Sequence, residues 1–291
     1  MAEKKLLRKP EWLKVRIPNT PEYYRVKAVV EGNGLHTVCR EAKCPNMAEC
    51  FHSGTATFLI LGDICTRNCS YCNVRHGIPE IPNPDEPIQL AHAVKELDLN
   101  YVVVTSVTRD DLPDGGAGVF VRTIHLLRQE IPGCRVEVLI PDLLGNWSAL
   151  DTIIESRPDV INHNLEVVRY LFPDLRPEGN YDRSLELLRR VQEGGVESKS
   201  GLMVGFGENH DDIINTLKNL HDVRCDRITI GQYQQPSFNH VPVSKYYTPS
   251  EFDSLKRIAL LMGFRSVESG PLVRSSYHAE DFFLADDMQS I

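Results

Sequence analysis

The eight residues Cys65-Thr66-Arg67-Asn68-Cys69-Ser70-Tyr71-Cys72 constrain this chain more than any other stretch. Their C-x3-C-x2-C spacing follows directly on an apolar run at 56–61, so any fold must bring three thiols together at the end of that run. Disulfides would leave one cysteine over, and neighbours this close bridge poorly. A structural zinc site takes four ligands, usually from C-x2-C pairs. A [4Fe–4S] cube has four iron corners held by thiolates, so three local cysteines would leave one iron open to a ligand from outside the protein. The cube is the reading that suits an odd count, with a zinc or mixed-metal knuckle as the alternative.

Cysteine use across the chain points the same way. Six of the eight cysteines fall between residues 39 and 72, a density that in 291 residues indicates metal chemistry in a reducing compartment, with the cytoplasm as the expected location. A net charge of −8 and a pI near 5.7 argue against a general nucleic-acid binder. No apolar run reaches the roughly 18–20 residues that span a membrane, and the first residues carry no apolar signal core, so no membrane association is expected. Residues 1–20 are nevertheless basic, with Lys4, Lys5, Arg8, Lys9, Lys14 and Arg16 against Glu3 and Glu11. They read either as a solvated arm or as a docking surface for an acidic protein.

A second triplet, Cys39, Cys44 and Cys50, is spaced C-x4-C-x5-C. It fits a zinc site completed by His36 or His52, or a second iron–sulfur cluster whose fourth ligand comes from elsewhere. After a helix at 21–34, the pattern from residue 56 alternates strand and helix. Strands are expected at 56–61, 101–106, 135–140, 159–163, 198–204 and 227–231, and helices near 87–98, 117–130, 146–156, 181–193, 210–222 and 250–262. Such alternation builds a parallel sheet with right-handed crossovers. Six units fall short of the eight of a closed barrel, so the expected fold is α/β, a partial (β/α)6 TIM-type barrel. The chain divides into an N-terminal extension at 1–54, the barrel at 55–248, and a C-terminal helix and tail at 249–291. Cys134 and Cys225 stand beside apolar strands and read as buried and inert.

Active sites of such barrels gather at the carboxyl ends of the strands. There the first strand delivers Cys65, Cys69 and Cys72, and the second ends in the polar Thr105-Ser106. Asn164 and Glu166, two apart after the fourth strand, lie on one side of an extended segment and could bridge two ribose hydroxyls, or simply cap a loop. Gly205-Phe206-Gly207 would let backbone approach a flat adenine. His240, alone in a proline-rich loop, receives no role.

Taken together, the two triplets and Arg274-Ser275-Ser276-Tyr277 resemble the lipoyl synthase family of radical S-adenosylmethionine (SAM) enzymes. The resemblance runs from about Cys39 to His278 and includes Val107-Thr108-Arg109-Asp110-Asp111 and Gly231-Gln232-Tyr233. It implies two [4Fe–4S] clusters. Cys65, Cys69 and Cys72 would hold the one that binds SAM; Cys39, Cys44, Cys50 and Ser276 would hold an auxiliary one. Thr105, Ser106, Asn164, Glu166 and Gly205 would contact SAM. Many relatives carry a G-G-E-like motif where this chain has Thr105-Ser106.

The implied activity is a sulfurtransferase reaction of lipoate biosynthesis. Two sulfur atoms from the auxiliary cluster would enter carbons 6 and 8 of an octanoyl group amide-linked to a lysine. Those C–H bonds are too inert for any side-chain base, so a cofactor radical is required. The implied partners are an octanoylated lipoyl carrier domain, an electron donor such as ferredoxin or flavodoxin, and an iron–sulfur carrier that rebuilds the spent cluster. Ser276, an oxygen ligand on a soft cluster, would mark the iron lost with the first sulfur. The alternatives are another radical SAM sulfur-inserting enzyme and a non-enzymatic zinc protein.

Overall fold

The computed structural model describes residues 7–15, 20–277 and 279–280. Lys4, Lys5 and Arg16 of the basic segment, and His278, lie outside them. Helix α1 (Pro21–Gly32) opens with Thr20 as its cap and Pro21 in its first turn. Strand β1 (His36–Thr37) leads into two short helices, α2 (Val38–Glu41) and α3 (Met47–His52). Strand β2 (Thr57–Ile60) is followed by a two-strand ribbon, β3 (Ile64–Cys65) and β4 (Arg75–His76). The repeating units are then α4 (Glu86–Glu96), β5 (Tyr101–Ser106), α5 (Ala117–Glu130), β6 (Arg135–Leu139), α6 (Trp147–Glu155) and β7 (Val160–Asn162). A short α7 (Phe172–Leu175) precedes α8 (Tyr181–Glu193), β8 (Glu197–Val204), α9 (His210–Asp222), β9 (Arg227–Gln232), α10 (Pro249–Met262) and β10 (Ser266–Gly270).

Eight strands form one sheet in the order β1-β2-β5-β6-β7-β8-β9-β10. Every pairing from β2 to β10 is parallel, and only β1 joins antiparallel. The six expected strands are present. A seventh parallel strand, β10, was not legible because Ser266-Val267-Glu268-Ser269-Gly270 is mostly polar and buries only Val267. It pairs with β9, so the sheet continues past residue 249, where the sequence suggests a boundary.

The two faces of the sheet differ, and the difference makes room for a site. Phe58, Ile60, Val102, Val104, Val136, Val138, Ile161, Leu202, Val204, Ile228 and Ile230 alternate onto the outer face and join two buried clusters with the helices. Several inner positions are small or polar, Thr57, Thr105, Gly201, Thr229 and Gly231, among apolar Leu59, Leu139 and Met203. Below them Glu137 accepts from Tyr101 Oη (2.6 Å), Asn162 Nδ2 (2.9 Å) and Lys199 Nζ (3.1 Å), all buried. These groups floor the barrel with a bonded layer instead of an apolar plug.

Among the described residues no helix is long and apolar enough to cross a membrane. Removing the ammonium of Lys199 would strip a buried carboxylate of its bonded cation, which typically costs about 3–5 kcal/mol. Lys199→Met is therefore expected to lower the urea midpoint sharply, and adding Glu137→Leu to recover part of the loss. A single variant as stable as wild type would remove the pair from any structural role.

Candidate active site

Beyond β2 the chain turns through Leu61 and Gly62, both at positive φ (68° and 85°). Their amides donate to the Glu86 carboxylate at 2.7 and 3.4 Å, pinning the elbow from which the Cys65–Cys72 loop departs. The loop is then gripped from several sides. The Thr66 amide and hydroxyl both donate to the Thr108 carbonyl at 3.0 Å. Arg67 forks onto Asp110 at 2.6 and 2.9 Å and reaches Asp142 at 2.5 Å, whose other oxygen takes Arg183 at 2.9 Å. Asp142 has no exposed surface; burial pushes its carboxyl up, but the bonded Arg67 guanidinium outweighs that and holds it down at about 2. The Ser70 amide donates to the Leu175 carbonyl at 3.1 Å, and His240 Nε2 donates to the Cys72 carbonyl at 2.9 Å.

Cys65, Cys69 and Cys72 line a cavity of about 190 Å³, together with Thr105, Ser106, His163, Asn164, Glu166 and Arg176. Cys65 Sγ accepts the amides of Arg67 and Thr108 at 3.4 and 3.3 Å, which suits a ligand carrying negative charge. Three buried polar atoms on this lining, Ser106 Oγ, His163 Nε2 and Asn164 Oδ1, have no partner among the described residues. Buried polar atoms are normally bonded, so the cavity fits a polar guest. His163 is neutral: burial, and Arg176 after it, push the ring down to about 4. Its Nδ1 donates to the Ile140 carbonyl at 2.8 Å, leaving Nε2 as a bare acceptor.

Asn164 and Glu166 face this cavity together, Nδ2 donating to Oε1 at 3.1 Å. The segment between them is not extended, however. Glu166 lies at φ 70°, a left-handed position uncommon for glutamate. That turn brings the two side chains together, and Gly201 gives them space, since a Cβ there would sit 2.6 Å from Asn164 Oδ1. Burial raises the Glu166 carboxyl, with Arg176 acting against it.

The second triplet lines an adjoining cavity of about 460 Å³. Thr37 caps α2, which carries Cys39, by accepting the Arg40 amide. Lys43 turns left-handed (φ 50°) before Cys44, and Cys50 lies on α3. Ser276 arrives from the other end of the chain, its Oγ accepting from Thr57 Oγ1 at 2.8 Å. Asn46 Nδ2 fixes the same segment by donating to the Leu272 carbonyl at 2.6 Å. Gly231 permits this approach, because a Cβ there would lie 2.1 Å from the Val273 carbonyl oxygen. The two cavities share a wall that includes Tyr71, Cys72, Leu139, Asn164 and Glu166.

All eight cysteines are free. Burial pushes Cys39 and Cys72 up to about 12, and burial plus the charges of Cys39 and Cys44 lifts Cys50 further. Thiols so placed become thiolates when a cationic centre takes them as ligands. Among the described residues no three Cys, His, Asp or Glu side chains converge on a point that would hold a single metal ion. The sulfurs stand around two hollows, an arrangement suited to a body with several metal corners. The zinc alternative also loses its fourth ligand: His36 pairs with Glu41 at 3.5 Å and His52 with Thr20 at 3.1 Å, and neither lines the cavity. Both donor sets therefore fit iron–sulfur cubes.

Two of the expected contacts are placed differently from the rest. Gly205 lines neither cavity. Its amide donates to Glu208 at 2.6 Å, its carbonyl accepts Ser244 at 2.8 Å, and a Cβ would lie 2.2 Å from Gln232 Nε2. The glycine is needed for packing, and its backbone is already spent. Thr105 lines the smaller cavity, but its hydroxyl donates to the Leu139 carbonyl at 2.9 Å, which leaves Ser106 as the open hydroxyl of the pair. Conversely, Arg67, Asp142 and Arg176 hold the site and were not singled out, and His240, which received no role from sequence, holds the Cys72 carbonyl. Arg67 alone left a trace, a charge between two closely spaced cysteines; the others reach the loop from distant sequence.

The family comparisons agree with this geometry. A model of the radical SAM superfamily matches residues 59–220, and one of the N-terminal domain of lipoyl synthase matches residues 1–44. Lipoyl synthase of Rubrobacter xylanophilus is 52% identical over 275 residues, covering 94% of this chain and 86% of the relative. That of Desulfotalea psychrophila is 50% identical, with 94% and 93% covered. Among solved structures, the FeFe-hydrogenase maturase HydG of Carboxydothermus hydrogenoformans superposes with a TM-score of 0.55 at 15% identity, over 79% of this chain and 65% of that one. Streptococcus suis SuiB gives 0.56 at 12%, over 73% of this chain and 48% of SuiB, so the chain spans about half of that protein. At such identities the shared property is the fold.

Asp142 supplies a test of the loop anchor. Its carboxyl is depressed in the fold, so its stabilisation is complete above the unfolded pKa of about 3.9 and is lost as pH falls towards 2. Asp142→Asn is expected to cost about 2 kcal/mol at neutral pH. It should also flatten the acid limb of a pH series of urea unfolding. An unchanged midpoint and limb would show that Arg67 does not depend on it.

Proposed function

Since the chain belongs to the lipoyl synthase family of radical SAM enzymes, we propose that its two adjoining cavities serve one reaction, the insertion of two sulfur atoms into a protein-bound octanoyl chain. The shared wall carries this reading: Cys72, Asn164 and Glu166 belong to both cavities, so a guest in one lies beside a guest in the other. Bound there, SAM and its cube supply hydrogen abstraction, and the auxiliary cube supplies sulfur.

The chain's own groups are assigned as follows. Cys65, Cys69 and Cys72 hold the SAM-side cube, and Cys39, Cys44, Cys50 and Ser276 the auxiliary one. Asn164 and Glu166 take the ribose hydroxyls, while Ser106 Oγ and the bare His163 Nε2 receive other polar atoms of SAM. The Thr57 hydroxyl, donating to Ser276 Oγ, stabilises that oxygen once it has lost its proton to bind iron. Arg67, locked between two carboxylates, keeps the loop from yielding when SAM leaves. Residues 36–50 and 272–277 act as covers that bring the auxiliary ligands to a barrel whose last strand is β10. The protein substrate is the octanoylated lipoyl carrier domain, with a ferredoxin- or flavodoxin-like protein as reductant and an iron–sulfur carrier restoring the auxiliary cube.

Anaerobic incubation with SAM, dithionite and an octanoyl-lysine peptide should yield by mass spectrometry a dithiol product that has gained two sulfurs, and that loses two hydrogens when oxidised to the disulfide. The loaded protein should contain about eight iron and eight sulfide per chain. Zinc without sulfide would refute the reading. Ser276→Cys should keep that iron yet slow sulfur insertion severalfold, because a thiolate holds its iron more tightly than an alkoxide. Native rates for both insertions in this variant would cancel the role given to Ser276.

A further inference from the structure

The mouth of the larger cavity carries charge opposite to that of the chain. The protein is net −8, yet the two exposed charged residues on this lining are Lys9 and Lys43. Neither lysine side chain has an ion pair or hydrogen-bond partner among the described residues. Arg274, deeper in the same lining, has its charge against Cys44 and Glu166 and also repels Lys9. The carboxylate of Glu49 is engaged by Tyr277 Oη at 2.7 Å. Cations left unpaired at the opening of a cavity attract an anionic surface, and do so at longer range than any contact.

The loop that completes this lining also presents an exposed aromatic. Gln235 and Pro236 line the cavity, and two residues on, Phe238 is 84% exposed. The loop that presents it is not loose. Gln235 Nε2 donates to the His240 carbonyl at 2.8 Å, Ser237 Oγ pairs with His240 Nδ1 at 2.8 Å, and His240 Nε2 holds the Cys72 carbonyl. A held, exposed aromatic on a loop that lines the same cavity as two unpaired cations has the composition of a protein-binding patch.

We propose that Lys9, Lys43 and Phe238 form the docking surface for the octanoylated carrier domain, whose face around the modified lysine is acidic with an apolar contact point. The inference rests on the functional reading above. A substrate chain tethered to a protein reaches an enclosed site only as far as its arm allows, so the carrier body must settle on the rim of the cavity that the chain enters. The rim is then an interface by geometry, and its charge states what kind of surface fits.

The test compares kcat/KM for an intact octanoylated carrier domain with that for a short octanoyl-lysine peptide, using the cluster-loaded enzyme. Lys9→Glu/Lys43→Glu and, separately, Phe238→Ala should each lower the carrier-to-peptide ratio at least tenfold. The double charge reversal should also abolish the loss of carrier activity that wild type shows with rising salt. Carriers bearing a reciprocal acidic-to-lysine change should restore the ratio. An unmoved ratio and salt profile would overturn the docking surface alone. So would equal losses on carrier and peptide with full iron retained, which would mark these side chains as cavity wall. A normal first turnover with failed later ones would assign the patch to the iron–sulfur donor and overturn the proposal. Wild type converting neither substrate would refute the functional reading, and the docking surface with it.

Discussion

Seven parallel strands cannot close on themselves at the tilt that eight adopt, and this shortfall governs the rest of the molecule. An open side exposes backbone and inner-face groups that must be covered. The chain covers them with its own ends. Residues 272–277 lie against Gly231 on β9 and Thr57 on β2, and α3 meets that segment through its N-cap Asn46 and through Glu49. The second cysteine set and Ser276 are side chains of this cover. The open seam and the second cavity are therefore one feature, and a closed barrel of the same strands would have no place for it.

The inner face is arranged for guests at some cost to the core. Along β5, β6, β8 and β9 the apolar outward residues are buried valine, isoleucine and leucine, whereas several inward positions above the Glu137 layer, Thr105, Gly201, Thr229 and Gly231, are small. A buried ion pair is a poor source of stability compared with apolar packing. Here it forms a floor that fills the barrel base without apolar bulk, so that the volume above stays open. The thiols respond to the same enclosure: burial that makes them reluctant to ionise also makes them strong ligands once a cationic centre arrives.

Much of this was legible in the sequence, and the failures have physical causes. Cysteine spacing is a local property, so both triplets could be read directly; apolar strand runs located six strands to within two residues at each end. β10 escaped because an edge strand with one buried side chain has no hydrophobic period. Asn164 and Glu166 were grouped correctly for an incorrect reason, since period two predicts their convergence in an extended chain and the structure achieves it with a left-handed glutamate. Gly205 shows that glycine reports a steric need without saying whose atoms create it; the neighbour is Gln232, twenty-seven residues on. Asp142 and His240 bond to a loop 75 and 168 residues distant, and no window of sequence contains such a contact. Ser276 was reached through family resemblance alone.

The bonds that fasten the cover have sequence separations of 219, 226 and 228 residues. A ribosome releases Cys39, Cys44 and Cys50 early, while the strand surfaces and the segment that complete their cavity emerge last. During that interval the early thiols belong to an unfinished wall, accessible to oxidants and to stray metals. Order of synthesis thus sets a period of exposure that the finished fold conceals. A cell making this protein would gain from holding back metal delivery until residue 276 has left the exit tunnel.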